Sequence, residues 1–376
     1  MADTDTGHAG PSQPLVDIVA ATRPNFVKIA RLYPQLVASG GCRVRLVHTG
    51  QHYDANLSQA FFDEFGLPVP DVRLGIGSGS HAEQTGHTMM AYEQICQAER
   101  PAWTIVVGDV NATVGCALAA TKLGVRVAHL EAGLRSFDRS MPEEINRVVT
   151  DAISDLLWTP SEDADAHLAE EGIPASRIER VGNIMIDTFE HRRTAIEQDT
   201  TVDRLGLTRR GYVMATFHRP ANVEDYAWCL ALVAALETMT REHDVVWPLH
   251  PRARAQLARF ELLETLSVMP RLHVIEPLAY TPFMALIRHA HAVVTDSGGL
   301  QEETSHLGIA CFTVRANTER PITVTLGTNR LVRIDEVADA IRLAAPPDAR
   351  RGAIPLWDGR TAERVVQSLL KRLDPV

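Results

Sequence analysis

Long apolar runs are missing from this 376-residue chain. None approaches the ~18–20 residues that a membrane-spanning helix needs. Cysteine is scarce: Cys42, Cys96, Cys116, Cys229 and Cys311 stand far apart, with no C-x-x-C pair. An odd, scattered set excludes a disulfide frame and argues against a zinc site. It points instead to reduced, mostly buried thiols in a cytoplasmic protein. Basic charge is in deficit, with 37 Lys and Arg against 47 Asp and Glu, for a net charge of −10. A chain of that sign is a poor binder of nucleic acid or of an anionic membrane, which leaves only a local basic cleft open. The N-terminal MADTDTGHAGPSQP has neither the basic nor the apolar region of a signal peptide, and residues 1–14 read as a disordered extension.

What is present is an ordinary globular balance, 45% apolar and 22% charged with 24 Gly and 21 Pro, so collagen-like, coiled-coil and disordered readings fall away. The length suits about two domains. Short β-branched runs alternate with longer amphipathic ones from end to end. The expected strands are Leu15–Ala20, Arg43–His48, Thr104–Val107, Arg126–Leu130, Ile178–Val181, Tyr212–Phe217, Val245–Pro248, His273–Glu276, Ala292–Thr295, Ala310–Val314 and Leu331–Ile334. Helical spacing marks Phe26–Ala38, Glu143–Ser154, Trp228–Met239 and Thr361–Leu373. Strand–helix alternation with near-continuous apolar strands predicts an α/β protein of two doubly wound, Rossmann-like parallel-sheet domains facing across a cleft. The charged stretch around Arg192–Arg210 sets the expected division: residues 15–190, joined by a returning C-terminal helix at 361–376, and residues 191–360.

Ligands of such sheets bind outside the carboxyl ends of the strands, and the unusual residues gather there. Thr295-Asp296-Ser297-Gly298-Gly299-Leu300-Gln301-Glu302-Glu303 passes from strand through two glycines into a helix. A helix N-terminus with exposed N–H groups is an anion site, and glycine lets a phosphate approach the backbone. Ser297 can donate a hydroxyl and Glu303 can accept from ribose hydroxyls; a plain Ser cap with turn-shaping glycines is the alternative. Neither G-K-[ST] nor G-x-G-x-x-G is present. Arg23, in Thr22-Arg23-Pro24, opens the first helix with a guanidinium suited to a diphosphate, or else to water. His218 in Phe217-His218-Arg219-Pro220, His250 in His250-Pro251-Arg252, and Arg320 in Thr318-Glu319-Arg320-Pro321 add cations at further strand ends.

The first half supplies acids: Asp109 after Gly108, Glu131 in His129-Leu130-Glu131-Ala132-Gly133-Leu134-Arg135, and Glu143 in Met141-Pro142-Glu143-Glu144-Ile145-Asn146-Arg147. Asp109 could serve only as a helix cap, and Glu143 and Glu144 only as first-turn acids with Arg147 as a helical partner. Glu131 closes a buried strand, where a carboxylate must find a partner or a substrate. Carboxylates crowded in one dry cleft suit proton abstraction and return at a carbon.

Taken together, T-R-P, T-G-Q-H, G-D, H-x-E-A-G-L-R, P-E-E-x-N-R, G-N-x-x-I-D, H-R, H-P, D-S-G-G-x-Q-E-E and T-E-R-P, in that order, resemble the non-hydrolysing UDP-N-acetylglucosamine 2-epimerases. That family has the two-domain GT-B fold, and the resemblance runs from about Leu15 to the last helix. It implies inversion at C2 between UDP-GlcNAc and UDP-ManNAc without metal or NAD, by elimination of UDP to a 2-acetamidoglucal and its re-addition; a hydrolysing variant releasing ManNAc and UDP, or a GT-B glycosyltransferase using a UDP-sugar, is the alternative. It also implies a homodimer. Carried onto the matching positions, it implies Asp109, Glu131 and Glu143 as acid/base carboxylates with His218 among the catalytic residues. Arg23, His218, Ser297, Gly298 and Gly299 would then hold the diphosphate, Glu303 the ribose, and Arg147 and Arg320 the sugar-diphosphate pocket. Lys28, His250 and Phe283 complete the substrate-binding set. The sequence departs from the family pattern at Ala21, at Asn25, and at Tyr53 after Gln51-His52. The stretch Gly79–Gln84 lacks the Arg with which some bacterial members bind a second UDP-GlcNAc as activator.

Overall fold

The computed structural model describes residues 13–50, 62, 64–346, 348 and 353–373. The stretch after Gln51-His52 therefore lies outside the described residues. Seven strands form the first sheet: β1 (Leu15–Ala20), β2 (Arg43–His48), β3 (Val72–Arg73), β4 (Trp103–Val107), β5 (Arg126–Leu130), β6 (Leu156–Thr159) and β7 (Ile178–Arg180). Six form the second: β8 (Tyr212–Thr216), β9 (Asp244–Pro248), β10 (Leu272–Ile275), β11 (Ala292–Thr295), β12 (Ala310–Thr313) and β13 (Asn329–Leu331). All pairs are parallel, and β1, β4 and β8 are buried at every residue, as helices on both faces require.

The spatial orders are β3-β2-β1-β4-β5-β6-β7 and β10-β9-β8-β11-β12-β13. Each sheet starts near its middle, winds outward, then returns to wind the other way. The reversal falls between β1 and β4 in the first sheet and between β8 and β11 in the second. Loops diverge at such a point and open a crevice beyond the strand ends.

The expected strands are present, and most ends move by no more than a residue. The run expected at Leu331–Ile334 begins earlier, at Asn329, and stops at Leu331. Its neighbour β12 stops at Thr313, opposite Leu331, so after the bond from Val332 N to Thr313 O (3.0 Å) the chain finds no further ladder and turns at Ile334–Glu336. The sequence reading omits β3, only two residues long, and β6, whose run Leu156–Thr159 follows a helix after just two residues and so is not set off from it.

One apolar core runs from Val16, Ile18 and Leu36 of the first sheet's layer, through Met185 and Phe189, to Met214, Met284 and Ile287 of the second. The lobes are also clipped polar to polar: Glu64 accepts from Tyr280 N (3.1 Å) and Thr281 N (2.8 Å), capping the helix Tyr280–His289. The helix Thr361–Leu373 returns to the first sheet. It buries Ala362, Val365, Val366 and Leu369, and Trp158 Nε1 donates to Ser368 Oγ (2.9 Å). Each aliphatic side chain so buried contributes about 1.5–3 kcal/mol, enough to hold the helix there. All five cysteines are buried and unpaired. Among the described residues no helix is long and apolar enough to cross a membrane.

Candidate active site

The first switch point is built by the turns after β1, β4 and β5. Pro24 sits in the first turn of the helix Arg23–Ala38, where its missing N–H costs nothing. Asn25 is buried; its Oδ1 accepts from Thr22 N (3.0 Å) and Ala21 N (3.2 Å), and its Nδ2 donates to Val107 O (3.0 Å), tying the helix start to β4. One turn on, the Lys28 ammonium reaches the Glu131 carboxylate at Oε2, both groups buried. Glu131 holds φ at 74°, a left-handed conformation that a non-glycine residue adopts only when its surroundings compel it. The backbone around it is fixed: Glu131 N and Ala132 N both donate to Trp158 O, and Gly108 N donates to Leu130 O (3.1 Å). Gly108, at φ 69°, leaves the space that Lys28 Nζ fills, 3.0 Å from where a Cβ would stand.

Beneath this turn His129 is wholly buried, with Nδ1 on Asp151 Oδ1 (2.6 Å) and Nε2 on Gly108 O (2.8 Å). Asp151 also pairs with Arg135 (2.7 Å), which forks onto Glu171 at two contacts of 2.7 Å. Burial pulls Asp151 up, but His129 and Arg135 outweigh it and hold the carboxyl below its usual range. This network fixes Gly108 and Glu131 relative to each other.

Asp109 follows Gly108, and its Oδ2 meets Arg147 Nη1. Arg147, nearly fully buried, also turns to Glu144 Oε2 (2.5 Å); that oxygen accepts from Ser136 N and Ser136 Oγ, and Glu144 Oε1 accepts from Phe137 N. Burial raises Glu144, but these backbone donors and Arg147 draw it below the usual value. Glu143 stands exposed at the start of the helix Pro142–Ile153.

The second switch point belongs to the turns after β8 and β11. Asp296 is fully buried and gathers His218 N, Arg219 N (2.9 Å), Asn222 Nδ2 (3.2 Å) and His218 Nδ1 (2.9 Å). Burial raises it, yet the His218 ring and the two backbone donors prevail and hold the carboxyl below its usual range. The His218 side chain stays 40% exposed, with the His250 ring 5.6 Å away. Ser297 caps the helix Gly298–Leu307. A Cβ on Gly298 would stand 2.4 Å from Glu319 Oε1 and 2.6 Å from Arg320 Nη1, whereas one on Gly299 would meet open space. Farther along the same helix Glu303 is buried and accepts from Tyr280 Oη (2.9 Å); burial, with Glu302 adding to it, pushes its carboxyl up to about 8.

Arg320 joins the two lobes. Nη1 lies on Glu319 Oε1 (2.5 Å), Nε is 2.8 Å from Glu302 Oε1, and Nη2 is 3.6 Å from Glu131 Oε1. Burial works against its charge, but Glu302, Glu319, Glu131 and Asp109 together overcome that and raise it. Arg219 lies 3.7 Å from Glu319 and also feels Glu143 from the other lobe. The structure thus brings Glu131 of the first lobe up to Arg320 beside the Ser297 bend of the second, and places Asp109 and Glu143 within electrostatic range of Arg320 and Arg219 respectively. Phe283 is half-buried against the shared core on the helix that carries Tyr280. The side chain of Arg23 lies outside the described residues.

Three buried groups that converge here carry no role in the sequence reading: Glu302, Glu319 and Arg315, whose Nη2 binds Glu319 Oε2 (2.7 Å). The doubled acid of Q-E-E was the available signal for Glu302. Nothing local distinguishes Glu319 or Arg315 from surface charge.

The family model for UDP-N-acetylglucosamine 2-epimerase matches residues 35–370. The chain belongs to that family. It is 37% identical over 361 residues to UDP-N-acetylglucosamine 2-epimerase of Methanocaldococcus jannaschii, covering 94% of this chain and 98% of the relative. It is 36% identical over 362 residues to UDP-2,3-diacetamido-2,3-dideoxy-D-glucuronate 2-epimerase of Pseudomonas aeruginosa, with the same coverage. The crystal structure of the M. jannaschii UDP-GlcNAc 2-epimerase in complex with UDP-GlcNAc and UDP superposes with a TM-score of 0.87 at 36% identity, over 95% of this chain and 99% of that one. The two doubly wound domains are those of the GT-B fold that the epimerases share.

Proposed function

We propose that this epimerase interconverts UDP-GlcNAc and UDP-ManNAc without releasing the sugar. The observation that carries the reading is the approach of Glu131 to Arg320 across the lobes, next to an open helix N-terminus at Gly299. A carboxylate of the set Asp109, Glu131 and Glu143 takes the proton from C2; the C–H electron pair becomes the C1=C2 bond of a 2-acetamidoglucal, and the C1–O pair leaves with UDP. The reverse addition returns the UDP oxygen to C1 while C2 takes a proton on its other face. Charge developing on the leaving diphosphate would meet the N–H groups at Ser297–Gly299 and the His218 ring, donors already oriented before the bond breaks. Glu303 would accept from the ribose, and Arg147 and Arg320 would line the pocket as partners of its acids. Lys28, His250 and Phe283 complete the lining. The same reading carries the lobe division at 190/191, a cytoplasmic setting and a homodimer, the last tested by light scattering.

Proton abstraction in deuterated water must place deuterium at C2. Incubating UDP-GlcNAc with the protein and following the proton spectrum tests this: UDP-ManNAc deuterated at C2 is the expected product. Free ManNAc and UDP without UDP-ManNAc would make it a hydrolysing enzyme, and no exchange would end the proposal. A second substrate is favoured by the P. aeruginosa relative, whose identity to this chain nearly equals that of the M. jannaschii enzyme. The diacetamido uronate offered in parallel, with exchange rates compared, decides between them.

A further inference from the structure

Glu131 has one oxygen on Lys28 and the other, Oε1, buried without a hydrogen bond. That free oxygen faces Arg320 Nη2 at 3.6 Å, just beyond bonding distance. What keeps the two apart is visible on the other side of the guanidinium. Glu319 lies on Nη1, and Glu302, buried on the helix behind the Ser297 bend, stands 2.8 Å from Nε without hydrogen-bond alignment, both its oxygens lacking bonded partners. A carboxylate clamped bidentately by arginine is a poor proton acceptor, because the pair stabilises its charged form. Two acids of the second lobe draw Arg320 away from such a clamp. Glu319 is anchored by Arg315 as well, whereas burial pushes the Glu302 carboxyl up to about 7 and Arg320 is the cation that most opposes that rise, so Glu302 is the acid whose charge answers to Arg320 most directly.

We propose that Glu302 is a positioning residue that, by holding Arg320 at its Nε edge, leaves Glu131 Oε1 free to accept a proton. It touches no substrate atom and acts only through Arg320. The inference rests on the reading of Glu131 as an acid/base group, which E131Q tests separately: loss of C2 exchange in E131Q upholds that reading whatever Glu302 does.

The experiment compares wild type, E302Q and E302D for kcat, KM and C2 deuterium exchange, with UDP binding measured by calorimetry. Removing the charge lets Arg320 close on Glu131, so E302Q is expected to lose about tenfold in kcat and exchange while KM and UDP affinity stay within about twofold. E302D keeps the charge at a shorter reach and should recover part of the loss. A merely structural Glu302 would move KM, UDP affinity and melting temperature together and would not be rescued by Asp, and that pattern overturns the proposal. So does an E302Q enzyme with wild-type kcat. Should E302Q yield no folded protein, E302D carries the test alone: a fall in kcat with KM held supports the proposal, and unchanged kcat refutes it.

Discussion

Glu303 offers the most quantitative test of the site. Its carboxyl lies buried against Tyr280 Oη, and burial lifts it from 4.5 in the open chain to about 8. The folded state therefore favours the protonated acid. Below pH 4.5 both states hold the proton and the contribution to stability is complete; as pH rises towards 8 the unfolded chain ionises freely while the folded one resists. Stability is thus lost across that window at about 1.4 kcal/mol per pH unit, with an upper bound of about 5 kcal/mol, of which we expect roughly half to survive relaxation of the site. Glu303→Gln mimics the protonated acid at every pH, so it removes this slope. Urea unfolding of both proteins from pH 4.5 to 9, followed by tryptophan fluorescence, isolates the term as a difference between two curves. Wild type should fall behind E303Q progressively up to pH 8 and then run parallel. If the two curves keep a constant gap, or if wild type gains on the variant as pH rises, the burial argument fails. UDP affinity gives an independent check: loss of a charged acceptor for ribose hydroxyls should weaken binding about 10- to 100-fold near pH 8.

Glu131→Gln and Asp109→Asn keep shape and remove charge, so each should abolish deuterium entry at C2 while UDP affinity by calorimetry stays within about threefold; either variant exchanging at the wild-type rate would exclude that residue. Gly298→Ala drives a methyl into Glu319 and Arg320, whereas Gly299→Ala meets open space. The first should lower both melting temperature and kcat. The second should leave stability unchanged or raise it by up to about 1 kcal/mol of helix propensity, yet impair UDP binding, because the diphosphate is proposed to lie there. Asp151→Asn removes one partner of a fully buried ion pair and should cost about 3 kcal/mol, seen as a lower urea midpoint, with exchange at C2 slowed because Gly108 and Glu131 lose their common anchor.

How far the sequence reveals this site depends on where each signal is written. Glycine pairs at a strand–helix turn and a carboxylate closing a β-branched run are local, and Ser297–Gly299 and Glu131 stand out on those grounds alone. Lys28 is one of only three lysines in a chain whose other basic residues are arginine, which marks it without explaining it. Gly298 has a further use that no spacing shows: its missing Cβ makes room for Arg320 and Glu319, side chains of another loop. The encounter of Arg320 with Glu131 and the burial of Glu302 depend on how two sheets are docked, and no spacing within either lobe encodes that. β6 shows the same limit for the fold. Its three apolar residues and a threonine follow a helix after only two residues, and their place between β5 and β7 makes them a strand.

The charge balance of the cleft constrains what each group can do. Lys28 is engaged by Glu131, Arg147 by Asp109 and Glu144, Arg320 by three acids, and Arg315 and Arg219 by Glu319. An arginine already holding carboxylates would have to give them up to grip a diphosphate, and in a buried setting that exchange gains little. Among the described residues the donors still open include some of another kind: backbone N–H groups at the start of the helix Gly298–Leu307, the exposed His218 ring, and the partnerless Nη1 of Arg315. In the proposed reaction the buried cations would therefore act mainly on the acids, setting which carboxylate is free to move a proton. The anion would meet the helix end and the His218 ring, held by Asp296, together with Arg23 of the opposite lobe, whose side chain lies outside the described residues. Proton transfer and most of the leaving-group stabilisation would then fall to separate sets of charges, with the Arg320–Glu131 approach linking the two lobes.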